Sequence, residues 1–221
     1  MFSLTRRTFV QFQASSVAQK HLNFALERTL MGAERLSAVI PEHIKRSTAY
    51  HEGGHALVAM LTKGALPLHK ATIMPRGHAL GMVVQLPEEK DMLSQTKLEM
   101  LAQIDICLGG RIAEEIVLGA ENISSGAGSD LSKATRIAHN MVASFGMNPE
   151  GSIGLSVIDP RNSSPETLRL VEEEVKSILD ASATRVRSLL KVHRKELEAI
   201  ARELMLRETL SQDDLKKLMS W

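Results

Sequence analysis

Two histidines and a glutamate stand at a spacing that can build a metal-dependent hydrolytic site. His51, Glu52 and His55 belong to one segment of the form H-E-x-x-H. On an α-helix, residues four apart lie one turn above each other on the same face, so both imidazoles can bind one metal ion. Glu52 is then placed to take a proton from a water on that ion, whose pKa zinc lowers to about 7. The pattern predicts a zinc helix of the kind found in metalloproteases.

The neighbouring sequence decides how much weight this short motif can carry, since helices with two surface histidines also match it. Residues 56–61 are all apolar, which predicts a buried helix over about 47–62. Histidines on a buried helix need polar partners or a metal. Gly53 and Gly54 work against the helix, at about 1 kcal/mol each relative to alanine. We therefore expect another element to pack very close to this glycine pair.

Composition limits the fold and the function classes. The 221 residues suit one domain, or one domain with a small appendage, and 43% of them are hydrophobic. Only 3% are aromatic and 11 are methionine, so the core is aliphatic, which favours packed helices. A net charge of +1 predicts no nucleic-acid partner. Cys107 is the single cysteine; it excludes an internal disulfide and is predicted to be a buried, inert thiol.

Two kinds of segment are missing from the sequence. No run approaches the roughly 20 apolar residues of a membrane-spanning helix, so we predict no transmembrane segment in this chain. There is also no G-x-x-x-x-G-K-[ST] loop, so we expect that ATPase activity is not encoded in this chain.

The first 20 residues differ from the rest. They contain Arg6 and Arg7, several hydroxyl residues and no acid, and Glu27 is the first acidic residue. This composition predicts a mitochondrial transit peptide over residues 1–20, the alternatives being an unstructured N-terminus or a start inside a longer protein. A short amphipathic helix is expected to follow over residues 21–31.

Hydrophobic periodicity predicts the remaining elements. Two strands that form a small β-hairpin beside the metal helix are expected, and His69 and His78 are predicted to be surface residues. The last third should form a long helical hairpin or a near-continuous bundle. The predicted strands span 69–75 and 80–86, and the predicted helices span 94–118 and 131–145, with a final short helix opened by Ser211 and Asp214.

Residue types and spacing alone do not identify the third ligand of the metal. A metzincin site would continue from His51 to a third histidine, but Val58 and Leu61 stand where its later residues would be. The candidates are Glu114, Glu115 and Asp130. The two glutamates can be ligands, carboxylates that support a ligand histidine, or partners of an arginine in an ion pair. Asp130 precedes a predicted helix, and its residue type favours an N-cap over a metal ligand.

Five motifs follow one another along the chain: LMGAERLSAVI, STAYHEGGHALVA, KATIMPRGHALG, GGRIAEEIVLG and SSGAGSDLSKAT. In this order and spacing they resemble the peptidase domain of FtsH-type membrane AAA+ metalloproteases, and within that family the mitochondrial inner-membrane i-AAA branch. The resemblance covers residues 21–221. It implies a mainly α fold, a helical zinc-peptidase domain over 41–221 with the hairpin beside the metal helix, and a linker over 21–40 like the end of an ATPase module.

The resemblance also implies roles for single residues. His51, His55 and Asp130 correspond to the zinc ligands, Glu52 to the catalytic base, and Glu114 to a residue next to the ligands. The implied activity is that of a zinc-dependent metalloendopeptidase that hydrolyses unfolded or membrane-derived proteins, as in mitochondrial protein quality control. We expect the chain to lack the ATPase module and the transmembrane anchor of that family, and to reach the inner membrane through partners.

Several assemblies fit these expectations. The chain can form a homo-hexamer, or it can associate with a full-length AAA+ protease. The alternatives to a catalytic role are a non-catalytic subunit or adaptor of an i-AAA-like hexamer, and a fragment of a longer AAA+ protease.

Overall fold

The structure of the protein is a computed structural model. It describes residues 39–76, 79–86, 94–148 and 151–219, with residues 18, 21–22, 25, 28–29 and 32–33. Apart from residue 18, the predicted transit peptide lies outside the described residues, and so does His78. The predicted helix over 21–31 is described only in part and is helical at those positions.

The described chain is mainly α with one small antiparallel sheet, as the sequence predicts. The longest helices, α2 and α4, run over 22 and 28 residues. In chain order the elements are α1 (Glu42–Leu61), β1 (Leu68–Thr72), β2 (Met82–Gln85), α2 (Lys97–Leu118), α3 (Gly128–Ala143), α4 (Pro165–Val192), α5 (Arg194–Arg207), β3 (Thr209–Ser211) and α6 (Gln212–Leu218). Two 3₁₀ turns, Ala120–Asn122 and Ser125–Ala127, join α2 to α3.

Helix α1 carries the H-E-x-x-H residues and begins earlier than the predicted bound at 47. Pro41 precedes its first residue with a φ of −56°. Proline favours a helix start because it needs no hydrogen-bond acceptor there. Glu42 follows in the first turn, where a carboxylate interacts well with the helix dipole. The helix ends at Leu61, and Gly64 turns the chain with a φ of +87°.

Helix α1 lies between α2 on one side and α5 on the other. The contact with α2 depends on glycines: a Cβ built on Gly54 would lie 2.4 Å from the carbonyl oxygen of Gly109. This close approach confirms the prediction that another element packs very close to the glycine pair, and it identifies that element as α2. It fixes the distance between α1 and the face of α2 that carries Glu114.

The last third of the chain does not fold back as a self-packed hairpin. Helix α4 ends at Val192 and α5 begins at Arg194, with His193 between them. Helix α4 packs mainly on α2 and α3, whereas α5 packs mainly on α1. Of the two expected arrangements, the hairpin is therefore wrong and the near-continuous one is observed: two successive helices support different parts of the site region.

The hairpin beside the metal helix is confirmed, and it belongs to a sheet of three strands. Strand β1 is central, with β2 and β3 antiparallel on either side, and it packs beside α1. Ala71 pairs with Val83 of β2 and with Leu210 of β3. The sequence did not predict β3, because a three-residue strand is too short to show an alternating pattern.

The core is aliphatic, as composition predicts, and the largest fully buried side chains come mostly from α1, α2, α4 and α5. They include Leu57, Ile104, Leu190, Leu197, Ile200 and Leu204. In the described part of the chain, no helix combines the length and the apolar character needed to cross a membrane.

Candidate metal centre

The two histidines of α1 and one aspartate of α3 bring three ligand atoms together. The Nε2 atoms of His51 and His55 lie 3.1 Å apart. Each lies 3.4 Å from the Oδ2 atom of Asp130. Among the described residues, this is the group of histidine, cysteine and acidic side chains whose geometry can hold a metal ion.

The remaining ring nitrogens fix the tautomers of both histidines. Nδ1 of His51 donates to Oε1 of Glu114 at 2.7 Å, and Nδ1 of His55 donates to the carbonyl oxygen of Ile106 at 2.6 Å. Both acceptors lack a proton of their own, so both Nδ1 atoms carry hydrogen. In the neutral form of each ring, Nε2 is therefore the atom that presents a lone pair to the shared point, as an imidazole ligand of a metal must.

Asp130 does not cap the helix that it was expected to cap. Helix α3 begins at Gly128, so Asp130 is in its first turn, and Ala127 takes the capping position. The N-cap prediction is wrong because the 3₁₀ turn Ser125–Ala127 runs directly into α3 and starts the helix earlier. The carboxylate of Asp130 faces the histidines instead of its own helix start.

The three atoms fit a tetrahedral ion in both distance and charge. Zinc bonds of about 2.0–2.1 Å at tetrahedral angles separate two ligand atoms by about 3.3 Å. The observed separations of 3.1, 3.4 and 3.4 Å agree with that value. Two lone pairs and a carboxylate that converge at such distances repel each other unless a cation lies between them.

A bare backbone keeps the space beside these atoms open. A Cβ on Gly110 of α2 would lie 2.6 Å from Nε2 of His51 and 2.6 Å from Nε2 of His55. Any side chain at this position would therefore enter the space in which an ion has to sit. The donor set and this gap both fit a zinc ion.

Glu114 holds His51 from the side away from the shared point. It is 1% exposed, and its carboxylate also accepts from the backbone N–H of Ser124 at 2.7 Å and from the Ser124 hydroxyl at 3.1 Å. Burial raises the pKa of Glu114, but the hydrogen bonds from His51 and Ser124 outweigh burial and bring the pKa below its usual value. Glu114 is thus an anion that orients the imidazole of His51.

Glu115, the next residue, points to another part of the molecule. Its carboxylate accepts from Arg187 of α4 at 3.1 Å and lies 3.6 Å from Arg111 one turn earlier on α2. The ion pair with Arg111 was one of the expected roles. Of the two neighbouring glutamates, only Glu114 contacts the histidine pair.

Glu52 lies on α1 beside the ligand group and is 6% exposed. Burial raises its pKa to about 7, although the charges of His55 and His51 act in the opposite direction. A carboxyl group with a pKa near neutrality can both accept and return a proton at physiological pH. Its surroundings therefore suit proton transfer.

The pKa values of His51 and Asp130 are shifted mainly by neighbours of opposite charge, which outweigh the effect of burial. Burial lowers the pKa of His51, but hydrogen bonds to Asp130 and Glu114 outweigh it and raise the pKa to about 10. Burial raises the pKa of Asp130, yet the hydrogen bonds from His51 and His55 hold it well below its usual value. The group is thus arranged around one positive charge at the shared point.

The sequence did not single out some of the residues that shape the site. Ser124 is the N-cap of the 3₁₀ turn Ser125–Ala127, and its place at the start of the SSGAGSDLSKAT motif was its only signal. Gly110 belongs to the GGRIAEEIVLG motif, and the structure places it against the histidines. Cys107 is buried, as predicted, and burial raises the pKa of its thiol to about 11. His69 lies on β1, outside the ligand group.

Comparisons with known proteins match the whole region that carries the site. Residues 38–218 match the family described as "Peptidase family M41". The chain is 48% identical over 206 residues to "ATP-dependent zinc metalloprotease FTSH 11, chloroplastic/mitochondrial" of Arabidopsis thaliana. It is 48% identical over 208 residues to "ATP-dependent zinc metalloprotease YME1 homolog" of Schizosaccharomyces pombe, and 43% identical over 200 residues to "ATP-dependent zinc metalloprotease YME1L1" of Homo sapiens.

These matches cover most of this chain and a smaller part of each relative. They include 93%, 93% and 90% of this chain, in the order above. They include 25%, 29% and 26% of the relatives' own lengths. The similarity therefore concerns one part of the longer proteins.

Proposed function

Because this chain belongs to peptidase family M41, we propose that it is a zinc-dependent metalloendopeptidase. His51, His55 and Asp130 hold the ion, Glu52 is the catalytic base, and Glu114 orients His51. The observation that carries this proposal is the convergence of two imidazole nitrogens and one carboxylate oxygen within 3.1–3.4 Å of one another. The buried carboxylate of Glu52 beside them supplies the proton acceptor that hydrolysis needs.

Each residue contributes one step to this account. Bound zinc supplies a Lewis acid that lowers the pKa of water to about 7 and, through its charge, favours the ionised form of Glu52. Glu52 takes the proton of the attacking water and returns it to the leaving amine. Glu114 and the carbonyl of Ile106 keep the two Nε2 atoms directed at the ion.

The proposed substrates are unfolded or membrane-derived polypeptides in extended form. Strand β2 is an outer strand of the sheet, and β1 occupies one of its sides. Along its other side, no strand among the described residues pairs with it. An extended peptide can add to such an edge through backbone hydrogen bonds, which accept many side chains and so suit a protease of broad specificity.

The names of the relatives support proposals about location and assembly. The Arabidopsis relative is named chloroplastic/mitochondrial, and all three are named ATP-dependent zinc metalloproteases. We propose a mitochondrial location for this chain, at the inner membrane through partners. We also propose that it works in a homo-hexamer or together with a full-length AAA+ protease, which would supply the ATP-driven step.

A single substitution separates the proposed chemistry from metal binding. Glu52→Gln keeps the size of the side chain and removes the proton acceptor. We expect it to retain one zinc per chain and to lose cleavage of a fluorescently labelled unfolded polypeptide by at least about 100-fold. Glu42→Gln is the matched control, because Glu42 is exposed at the start of the same helix.

The two readouts keep the outcomes apart. Unchanged cleavage in Glu52→Gln would contradict the role of Glu52. Zinc binding without cleavage in the unmodified protein would contradict the endopeptidase proposal and would favour the adaptor role.

A further inference from the structure

The carboxylate of Glu52 is buried, yet no hydrogen bond from a described residue explains its position. Burial and the charges of His55, His51 and Asp130 are the causes of its pKa shift, and no hydrogen bond within the described part of the chain contributes. By contrast, Glu114 is held by three hydrogen bonds from His51 and Ser124. Among the residues that the structure describes, packing must therefore define where the Glu52 side chain lies.

The backbone of Gly81 packs very close to this side chain. Gly81 directly precedes β2, at the end of the connection from β1. A Cβ built on it would lie 2.7 Å from Cγ of Glu52 and 2.8 Å from Oε1 of Glu52. Real Cβ atoms do not approach other heavy atoms so closely, so every residue other than glycine would displace the Glu52 side chain or the strand.

Backbone freedom is not the reason for a glycine at this position. The φ of Gly81 lies outside the left-handed region, which the structure shows for six other glycines but not for this one. The third neighbour of the built Cβ is the carbonyl oxygen of Thr72 in β1, at 2.9 Å. Gly81 is thus fitted between the central strand on one side and Glu52 on the other.

We propose that Gly81 is a positioning residue for the catalytic base: its bare backbone lets the start of β2 close over Glu52 and fixes the carboxylate beside the ligand group by contact alone. This inference rests on the proposed function of Glu52. It connects the base to β2, the strand whose edge is the proposed binding site for extended substrates. The same stretch of chain would then hold the base and begin the surface that receives the peptide.

A methyl group at this position tests the idea directly. In Gly81→Ala the new methyl group displaces the Glu52 side chain or the strand that covers it, and a misplacement of the carboxylate by about 1 Å can cost about 100-fold in rate. We expect kcat to fall by about that factor while KM changes by less than about threefold. One zinc per chain should remain bound, because no ligand atom is among the three nearest neighbours of the built Cβ.

Gly128→Ala is the matched control. Gly128 has an α-helical backbone at the start of α3, and a Cβ built there meets nothing within 4 Å. We expect this variant to keep the kcat, KM and zinc content of the unmodified protein. Loss of activity in the control alone would contradict the assignment of the effect to close contact at Gly81.

A double-mutant cycle separates contact with Glu52 from contact with the strand. Glu52→Ala removes the side chain that the new methyl group would meet, and leaves the carbonyl of Thr72 in place. The loss of thermal stability caused by Gly81→Ala should therefore be clearly smaller in the Glu52→Ala background. This readout needs no catalytic activity, so it decides the role of Gly81 even if the unmodified protein does not cleave peptides.

Each result counts for or against the inference. A fall in kcat with zinc retained, and a stability loss relieved by Glu52→Ala, would support it. If Gly81→Ala fails to fold and the double variant folds, the contact with Glu52 is also supported. An unchanged kcat, a loss of zinc, an equal stability loss in both backgrounds, or two variants that both fail to fold would overturn it.

Discussion

Two faces of α1 pack on different helices and at different distances. The consecutive residues Gly53 and Gly54 lie on these two faces and show the difference. Gly54 faces α2, and a Cβ there would lie 2.4 Å from the Gly109 oxygen and 2.6 Å from Cβ of Ala113. Gly53 faces α5, and a Cβ there would lie 3.4 Å from Cδ1 of Leu197 and 3.5 Å from Cγ2 of Ile200. The first contact has no room for a methyl group, and the second is an ordinary van der Waals distance.

Chemistry and support are divided between these faces. The side of α1 that meets α2 carries His51 and His55, and their hydrogen bonds to Glu114 and Ile106 require the helices to be close. The side that meets α5 is covered by aliphatic side chains such as Leu197, which is fully buried. Substitutions on the α2 side should therefore change metal binding, and substitutions on the α5 side should change stability.

The largest effect on metal binding is expected at Gly110, on the α2 side. Gly110→Ala places a methyl group 2.6 Å from both Nε2 atoms. We expect zinc affinity to fall by more than the roughly 100-fold that loss of a supporting hydrogen bond can cost. Atomic emission on the purified variant, with circular dichroism as the control for folding, measures this. A folded variant with one zinc per chain would show that the α2 side is not as tight as the structure indicates.

At Leu197 on α5 we expect a large loss of stability without a change in zinc binding. Leu197→Ala removes a fully buried side chain, and such changes cost about 2–5 kcal/mol of unfolding free energy. Zinc affinity of the folded variant should not change, because Leu197 contacts the other face of α1. Urea denaturation combined with a zinc titration tests both statements. Weaker zinc binding in a folded variant would show that the two faces are coupled.

An intermediate effect is expected from the carboxylate behind His51. Glu114→Gln keeps the shape of the side chain but removes its charge and one of its two acceptor oxygens. In the unmodified protein these oxygens accept three hydrogen bonds, from His51 and Ser124. We expect zinc affinity to fall by about 10- to 100-fold. Glu115→Gln is the matched control, since that carboxylate pairs with Arg187 and not with the histidines. Competition with a chromophoric chelator measures both variants, and equal affinities would contradict the role of Glu114.

Removal of the metal should make stability depend on pH in a definite direction. In the metal-free protein the folded-state pKa of His51 is raised from 6.5 to about 10. A raised pKa contributes stability that is present below pH 6.5 and is lost as the pH rises through the folded value. We therefore expect unfolding free energy to fall between pH 6.5 and about 10 after chelation, and to fall less with zinc bound. Equal pH profiles with and without zinc would contradict this.

The smallest effect is expected from a methyl group on the α5 side of α1. In Gly53→Ala the new Cβ would make an ordinary contact at 3.4 Å with Leu197. Alanine favours a helix interior over glycine by up to about 1 kcal/mol. Stability should therefore stay the same or rise by at most that amount. A loss of more than about 1 kcal/mol would mean that this face is packed as tightly as the other.

The sequence was a good guide to local features of the site and a poor guide to long-range ones. The spacing of His51 and His55 predicts that they share a helix face, because four residues make about one turn. Glu114 and Glu115 could not be told apart, since neighbours on a helix point about 100° from each other and only the position of α1 decides which one faces the site. Asp130 was ambiguous because aspartate is suited to helix caps and to metal ions alike.

The same division holds for the fold. Periodic helices and the capping box of Ser211 and Asp214 could be predicted from residues that are close in sequence. The partners of α4 and α5, and the third strand, could not, because they depend on contacts between distant segments. The role of Gly81 is invisible in the sequence for the same reason, since the side chain that it meets lies 29 positions earlier in the chain.

Locating the metal ion tests the proposed zinc site most directly. A crystal structure of the zinc-loaded protein, with anomalous data collected on both sides of the zinc absorption edge, identifies the ion and its position. We expect one zinc site with bonds of about 2.0–2.2 Å to Nε2 of His51, Nε2 of His55 and a carboxylate oxygen of Asp130. A zinc ion bound elsewhere, or held by Glu114 or Glu115 in place of Asp130, would contradict it.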